Sequence, residues 1–217
     1  MVKQDILVGL VEDQLLFRKA LIPLINQFEN CRVMLEAGNG LELQEELKKG
    51  SLPDIVLLDI QMPGMNGYDT LAWLQKNYPS INVIIVTFID SDFAMMRLLR
   101  DGAKAFLKKN MHPDELKKAI YSVKEKGYYY SDHTARRIFN ALHDECDTNE
   151  FRKYALAKKE IQFLQFARTD LTYKEIAREM KLSIRAIDKM RDHLFFKLDV
   201  KNRVSLVVKS LHEGIVA

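Results

Sequence analysis

Residues 55–67 read IVLLDIQMPGMNG. Ile55–Leu58 is apolar without alternation, the pattern of a strand buried on both faces of a sheet. Pro53 leads into it and Asp59 follows at once. A loop with Pro63 and Gly64 comes next, then a helical stretch, Gly67–Asn77, that ends before Pro79. A buried strand, an acid at its end and a helix running back form the repeating half of a parallel α/β sheet.

The same succession recurs on both sides of this stretch. Ile6–Val11 is a continuous apolar run, and Val83–Val86 is another. Val33–Ala37 and Ala105–Leu107 are shorter strands. Helical spacing follows each strand: Leu15–Gln27, with Leu16, Ala20 and Leu24 on one face; Gly40–Lys49, with Leu43 and Leu47 four apart; Asp92–Arg100; and Pro113–Lys126, opened by proline and stopped by Gly127. Pro23 interrupts the first helix and removes one of its backbone bonds. Five strands alternating with five helices predict a parallel sheet with helices on both faces, since each crossover is right-handed. Ligands of such sheets bind beyond the carboxyl ends of the strands, where strand order reverses.

Those ends carry chemistry. The first strand runs into Glu12 and Asp13, the third into Asp59, the fourth into Thr87, and the fifth into Lys108 and Lys109. One acid after a strand is ordinarily a turn former or a helix cap, and Asp13 is placed to cap the helix that begins at Gln14. A set of such residues after four core strands is harder to read as caps. Three carboxylates at one spot call for a cation, and oxygen ligands point to Mg²⁺. With a hydroxyl and an ammonium beside them they form a cradle for a phosphoryl group, in which the central carboxylate is a candidate nucleophile.

Composition narrows the function classes. The chain has 217 residues, 47% hydrophobic and 29% charged, ordinary values for a globular protein. No apolar run reaches the roughly 20 residues that span a bilayer. The N-terminus reads as a first strand and not as a signal peptide. Cys31 and Cys146 are too few and too far apart for a disulfide framework, which suits a reducing cytosol. Net charge is −1 over residues 1–126, −2 over 127–152 and +6 over 153–217. A basic last third points to an anionic partner, nucleic acid first.

Residues 153–217 read as short helices: Lys158–Arg168, Thr172–Met180, Ser183–Leu198 and Asn202–His212. Before them, Ser131 or Asp132 caps a helix running to His143, and Asp144–Glu150 is a polar linker. Thr172 and Glu175 have the spacing of a capping box, and Ser183 caps the next helix. There Ile187, Met190, Leu194 and Leu198 form an apolar stripe, opposite Arg185, Asp188, Lys189 and Asp192. A helix with that outer face fits a major groove. Lys174, Arg191, Lys197, Lys201 and Arg203 surround it as candidates for phosphate contacts. A small bundle binding protein or RNA through its last helix is the alternative.

Residues 1–126 resemble the receiver domain of bacterial two-component response regulators. The likeness is carried by Glu12-Asp13, by Asp59 with IQMPGMNG, by VIIVT ending at Thr87, and by Gly102 through Lys109. It implies that Asp59 is the phosphoacceptor. It also implies that Glu12, Asp13, Asp59 and the backbone carbonyl of Gln61 hold Mg²⁺, that Thr87 and Phe106 are the switch residues, and that Lys109 binds the phosphoryl group. Phe88 departs from the pattern, because the position after the switch hydroxyl is usually small. Gln61 stands where aspartyl phosphatases need an acid, which argues against such an enzyme. Residues 153–217 resemble the LuxR-type helix-turn-helix of the NarL/FixJ class, on the spacing of LTYKEIAREMKLS, Ile187 and KLDVKNR. The two resemblances imply a cytoplasmic, phosphorylation-controlled transcription factor and not an enzyme. Its receiver would span 1–126, a partly helical linker 127–152 and a DNA-binding domain 153–217. Its partners would be a sensor histidine kinase, double-stranded DNA and, when phosphorylated, a second copy of itself, with no membrane.

Overall fold

The computed structural model describes residues 5–143 and 156–216, the side chains of 140–143 excepted. The linker expected over Asp144–Glu150 lies outside the described residues. The described chain falls into two compact units, one built on the sheet and one that groups the C-terminal helices with residues 89–97.

Strands β1 (Ile6–Val11), β2 (Cys31–Ala37), β3 (Ile55–Leu58), β4 (Asn82–Thr87) and β5 (Ala105–Lys108) pair in the order β2-β1-β3-β4-β5. Every pairing is parallel. All four residues of β3 are buried, as an unbroken apolar run at the centre of a covered sheet requires. Helices α1 (Leu15–Asn26), α2 (Gly40–Lys48), α3 (Gly67–Asn77) and α4 (Asp92–Arg100) make the crossovers, and α5 (Pro113–Lys126) and α6 (Asp132–His143) follow β5. One face of the sheet packs against α1 and α5, where Val8, Leu10, Leu57, Ile84 and Leu107 meet Leu21, Ile25, Leu116 and Ile120.

Local chemistry sets the helix ends. Asn39 and Asn66 accept backbone N–H bonds at the starts of α2 and α3. Gly127 closes α5 in the left-handed region, at φ 86°. Gly67 is required by crowding, since a Cβ there would lie 2.2 Å from the carbonyl oxygen of Asp59. α1 differs from the expected pattern. Leu16 is 86% exposed, and the buried ridge is Leu21 and Ile25 with the partly buried Phe17. Two i,i+4 apolar ridges lie side by side on this helix, and the bulkier one faces the sheet.

In the C-terminal unit, α7 (Lys158–Ala167), α8 (Tyr173–Glu179), α9 (Ile184–Lys197) and α10 (Arg203–His212) follow one another. Phe163, Leu164, Ile176, Ile187, Leu194 and Leu206 form its core. The box at α8 is closed: Thr172 N–H donates to Glu175 Oε2 at 2.7 Å, and Glu175 N–H donates to Thr172 Oγ1 at 3.4 Å. Ser183 caps α9 through the Ala186 N–H, and Asn202 caps α10 through the Ser205 N–H. Lys181 turns the chain between α8 and α9 at φ 53°.

Candidate functional site

Strand order reverses on either side of β1, and the register there places the acids. Val11 pairs with Leu58, so the residues that follow, Glu12 and Asp59, emerge from adjacent strand ends. The Asp59 N–H donates to the Val11 carbonyl at 3.0 Å, and the Glu12 N–H donates to the Ala37 carbonyl at 3.0 Å. Across the sheet Thr87 pairs with Lys108, and the Lys109 N–H donates to the Thr87 carbonyl at 2.9 Å. Backbone bonds of the sheet thus carry Glu12, Asp59 and Lys109 to one end.

The Lys109 ammonium lies between the two buried acids. Its Nζ is 2.7 Å from Glu12 Oε2 and 2.8 Å from Asp59 Oδ2. The three side chains are 1%, 2% and 4% exposed, so these charge-assisted bonds form away from water. Asp59 Oδ1 accepts the Ile60 N–H at 2.7 Å. Asp13 is exposed at the rim, and carboxylate oxygens of Glu12, Asp13 and Asp59 lie within 4.8 Å of one another. Asp13 is not the cap of α1; Gln14 holds that position and makes no side-chain cap bond.

Burial pushes the Asp59 carboxyl above its ordinary value, although Lys109 and the N–H groups of Ile60 and Gln61 draw it down. Burial likewise raises Glu12, and the neighbouring Asp59 charge adds to the rise. Three carboxylates against one ammonium leave the ionised cluster two charges negative. A hard divalent cation matches both that charge and the all-oxygen donor set.

Thr87 is fully buried and Phe106 is 4% exposed. Gln61 is exposed. Two groups of contacts were not legible in the sequence. Arg18 donates to the Glu12 carbonyl and pairs with Glu36 at 3.1 Å, fixing the end of β1 from α1. The Phe17 and Phe88 rings both face the Lys109 ammonium, at 5.1 and 5.2 Å from ring centroid to Nζ. Phe17 lies four residues after Asp13 on the buried ridge of α1, the only signal in the sequence that could have placed it here.

The second candidate surface lies on α9. Arg185, Lys189 and Asp192 are exposed and Asp188 is partly so. Both acids pair with Arg191: Asp188 at 2.9 Å and Asp192 at 2.8 Å. The Asp192 carboxylate, followed by Asp188, holds the Arg191 guanidinium more firmly protonated than usual. Arg191 and Arg203 both approach the Tyr173 ring, at 5.2 and 5.4 Å. Arg203 also donates to the carbonyls of Ala167 and Thr169 at 2.9 and 2.8 Å. Lys197 pairs with Glu160 at 3.3 Å. Lys174 and Lys201 are exposed.

A doubly wound sheet with an acidic, lysine-bearing pocket at its switch point, joined in one chain to a helix-turn-helix, defines a class of regulator with a receiving and a DNA-binding part. Two family models match in that order: the response regulator receiver domain over residues 8–121, and the luxR family of bacterial regulatory proteins over 154–210. The chain belongs to the two-component response regulators with a LuxR-type DNA-binding domain. The oxygen regulatory protein NreC of Staphylococcus haemolyticus is 26% identical, over 95% of this chain and 97% of its own. RcsB of Salmonella enterica serovar Typhimurium, in a structure bound to promoter rprA with BeF₃⁻, matches with a TM-score of 0.69 and 20% identity, covering 95% and 98%. The heme-sensing system regulator ChrA matches with a TM-score of 0.53 and 23% identity, covering 98% and 99%. At these identities the two structures speak for the fold. The receiver implies a histidine kinase as partner. No helix among the described residues is long and apolar enough to cross a membrane.

Proposed function

We propose that this chain is a DNA-binding transcription factor switched by phosphorylation of Asp59. The observation that carries the reading is the buried Lys109 ammonium bonded to both Glu12 and Asp59. A lysine so placed neutralises phosphoryl oxygens when a group is added at Asp59. Glu12, Asp13, Asp59 and the Gln61 carbonyl would hold Mg²⁺, which supplies further neutralisation of the phosphoryl oxygens when bound. A kinase phosphohistidine, or a small donor, transfers its phosphoryl group to an Asp59 oxygen. Thr87 then turns its hydroxyl toward the new phosphoryl group and Phe106 repacks behind it. A local charge change thereby biases a two-state element.

The phosphorylated form would act as a homodimer on double-stranded DNA. Lys174, Arg185, Asp188, Lys189, Arg191, Asp192, Lys197 and Arg203 are the proposed contributors to that surface. Within this set the exposed Lys174, Arg185 and Lys189 are the ones to touch DNA directly. Arg203, Arg191 and Lys197, each engaged within the unit, would hold the helices in place. The likeness to RcsB, solved as a complex with DNA, supports this reading over a protein- or RNA-binding bundle. The proposed division is a receiver over 1–126, a partly helical linker over 127–152 and a DNA-binding domain over 153–217, acting in the cytoplasm.

Acetyl phosphate with Mg²⁺ should add one phosphoryl group, read by intact mass. Asp59→Asn should abolish it, and so should EDTA. Labelling that persists in the Asn variant would remove Asp59 from the role.

A further inference from the structure

The Lys109 ammonium is bounded by two acids and two rings. Glu12 and Asp59 bond to it, and the faces of Phe17 and Phe88 lie over it at 5.1 and 5.2 Å. Phe17, on α1, packs against the core of the sheet. Phe88 does not: it is 59% exposed, immediately after Thr87. A large apolar ring left in water at a pocket mouth has a free surface to offer. Its face also carries the negative potential of a π-system, which attracts cations and planar rings and disfavours anions.

Resting on the reading that Asp59 accepts a phosphoryl group, we infer that Phe88 and Phe17 select the phosphodonor. They favour a phosphoryl group carried on a planar imidazole, as in phosphohistidine, over one carried on a carboxylate. With a phosphoimidazole, an Asp59 oxygen forms the new P–O bond and the P–N bond breaks. The electron pair stays on the ring nitrogen, and the imidazole, protonated at its other nitrogen, leaves neutral and stacked on Phe88. With acetyl phosphate the P–O bond to the acyl group breaks, and acetate carries its negative charge out past two π-faces. The first leaving group gains a stacking contact, whereas the second meets a repelling surface.

The test compares labelling rates of the full chain with monophosphoimidazole and with acetyl phosphate, at saturating Mg²⁺. Phe88→Ala should lower the ratio of the two rates by roughly three- to tenfold, the scale of one aromatic pair. Phe88→Leu, which keeps bulk without a π-face, should lower it as well, and Phe88→Tyr should restore it. Phe17→Leu should shift it in the same direction by a smaller factor. An unchanged ratio in Ala and Leu overturns the inference. So does a Leu variant that behaves as the parent, which would leave only a steric barrier. Labelling that survives Asp59→Asn strikes the Asp59 assignment instead, and no labelling from either donor counts against both.

Discussion

Asp59, the proposed phosphoacceptor, is buried at the expense of the resting fold. Its carboxyl and that of Glu12 are raised by burial, so the folded chain holds their protons more tightly than the unfolded chain does. Without Mg²⁺, stability therefore falls as pH rises from the ordinary carboxylate range through these raised values, and the loss is complete above them. Asp59→Asn removes one of the three charges and leaves Lys109 its bond to Glu12. In EDTA at neutral pH the variant should melt higher than the parent by about 4 °C, the scale of 1 kcal/mol in a domain of this size. The difference should shrink as pH is lowered. Added Mg²⁺ should raise the parent and move the variant much less, because binding to the native state alone stabilises by mass action. Melting curves at three pH values, with and without Mg²⁺, check all of this. A parent more stable than the variant in EDTA would mean that the Lys109–Asp59 bond outweighs the burial of the charge.

At the scale of the element, α9 carries two acids on the face proposed to meet DNA. Arg191 pairs with both Asp188 and Asp192, which offsets their repulsion and fixes the Asp188 carboxylate as an acceptor. The major-groove donors for it are cytosine N4 and adenine N6. Asp188→Ala should relax preference at one position of each half-site by about 1–3 kcal/mol. Lys174→Ala should weaken all sequences alike and lower the salt slope by about one. Selection of bound sequences from random DNA reads both. A uniform gain in affinity with Asp188→Ala would make that acid a repelling charge and nothing more. The strands and α9 were legible because burial writes an unbroken apolar run or a stripe of one period into a segment. So were Asp59 and Lys109, since the end of a buried strand is a fixed place. What was not legible depends on choices among equivalents. Spacing offered Arg185 and Lys189 to the two acids as readily as Arg191, and it offered Leu16 to the sheet as readily as Phe17. Side-chain reach decided the first and bulk the second. The role of Arg203 could not be read either, because its partners are the carbonyls of Ala167 and Thr169, which leave no mark on composition.

For the whole molecule, the phosphoryl group must persist long enough to matter and must act against its own charge. We propose that loss of the group to water depends on the side chains two positions after Asp59 and Thr87, here Gln61 and Ile89. Ile89 cannot orient water, and Phe88 stands at the mouth, so the phosphorylated form should be long-lived. Phe88→Ala combined with Ile89→Glu should hasten decay, and a double variant that decays no faster would refute the access argument. The group adds about −1.5 to −2 charges at neutral pH, to a receiver stretch already at −1 over residues 1–126. Long-range electrostatics alone would thus make phosphorylation weaken DNA binding, because the affinity belongs to the +6 of residues 153–217. Any gain must come from a change in the species that binds. If phosphorylation pairs two copies, each brings its own set of phosphate contacts, and the dependence of log K on log salt should steepen about twofold. If it only releases a single DNA-binding unit, affinity should rise while the slope stays where it was. Dimerisation is the proposed route, so the slope for operator DNA should roughly double on addition of phosphodonor and Mg²⁺, and stay unchanged for Asp59→Asn. A tighter complex with an unaltered slope would keep the switch and exclude pairing as its means.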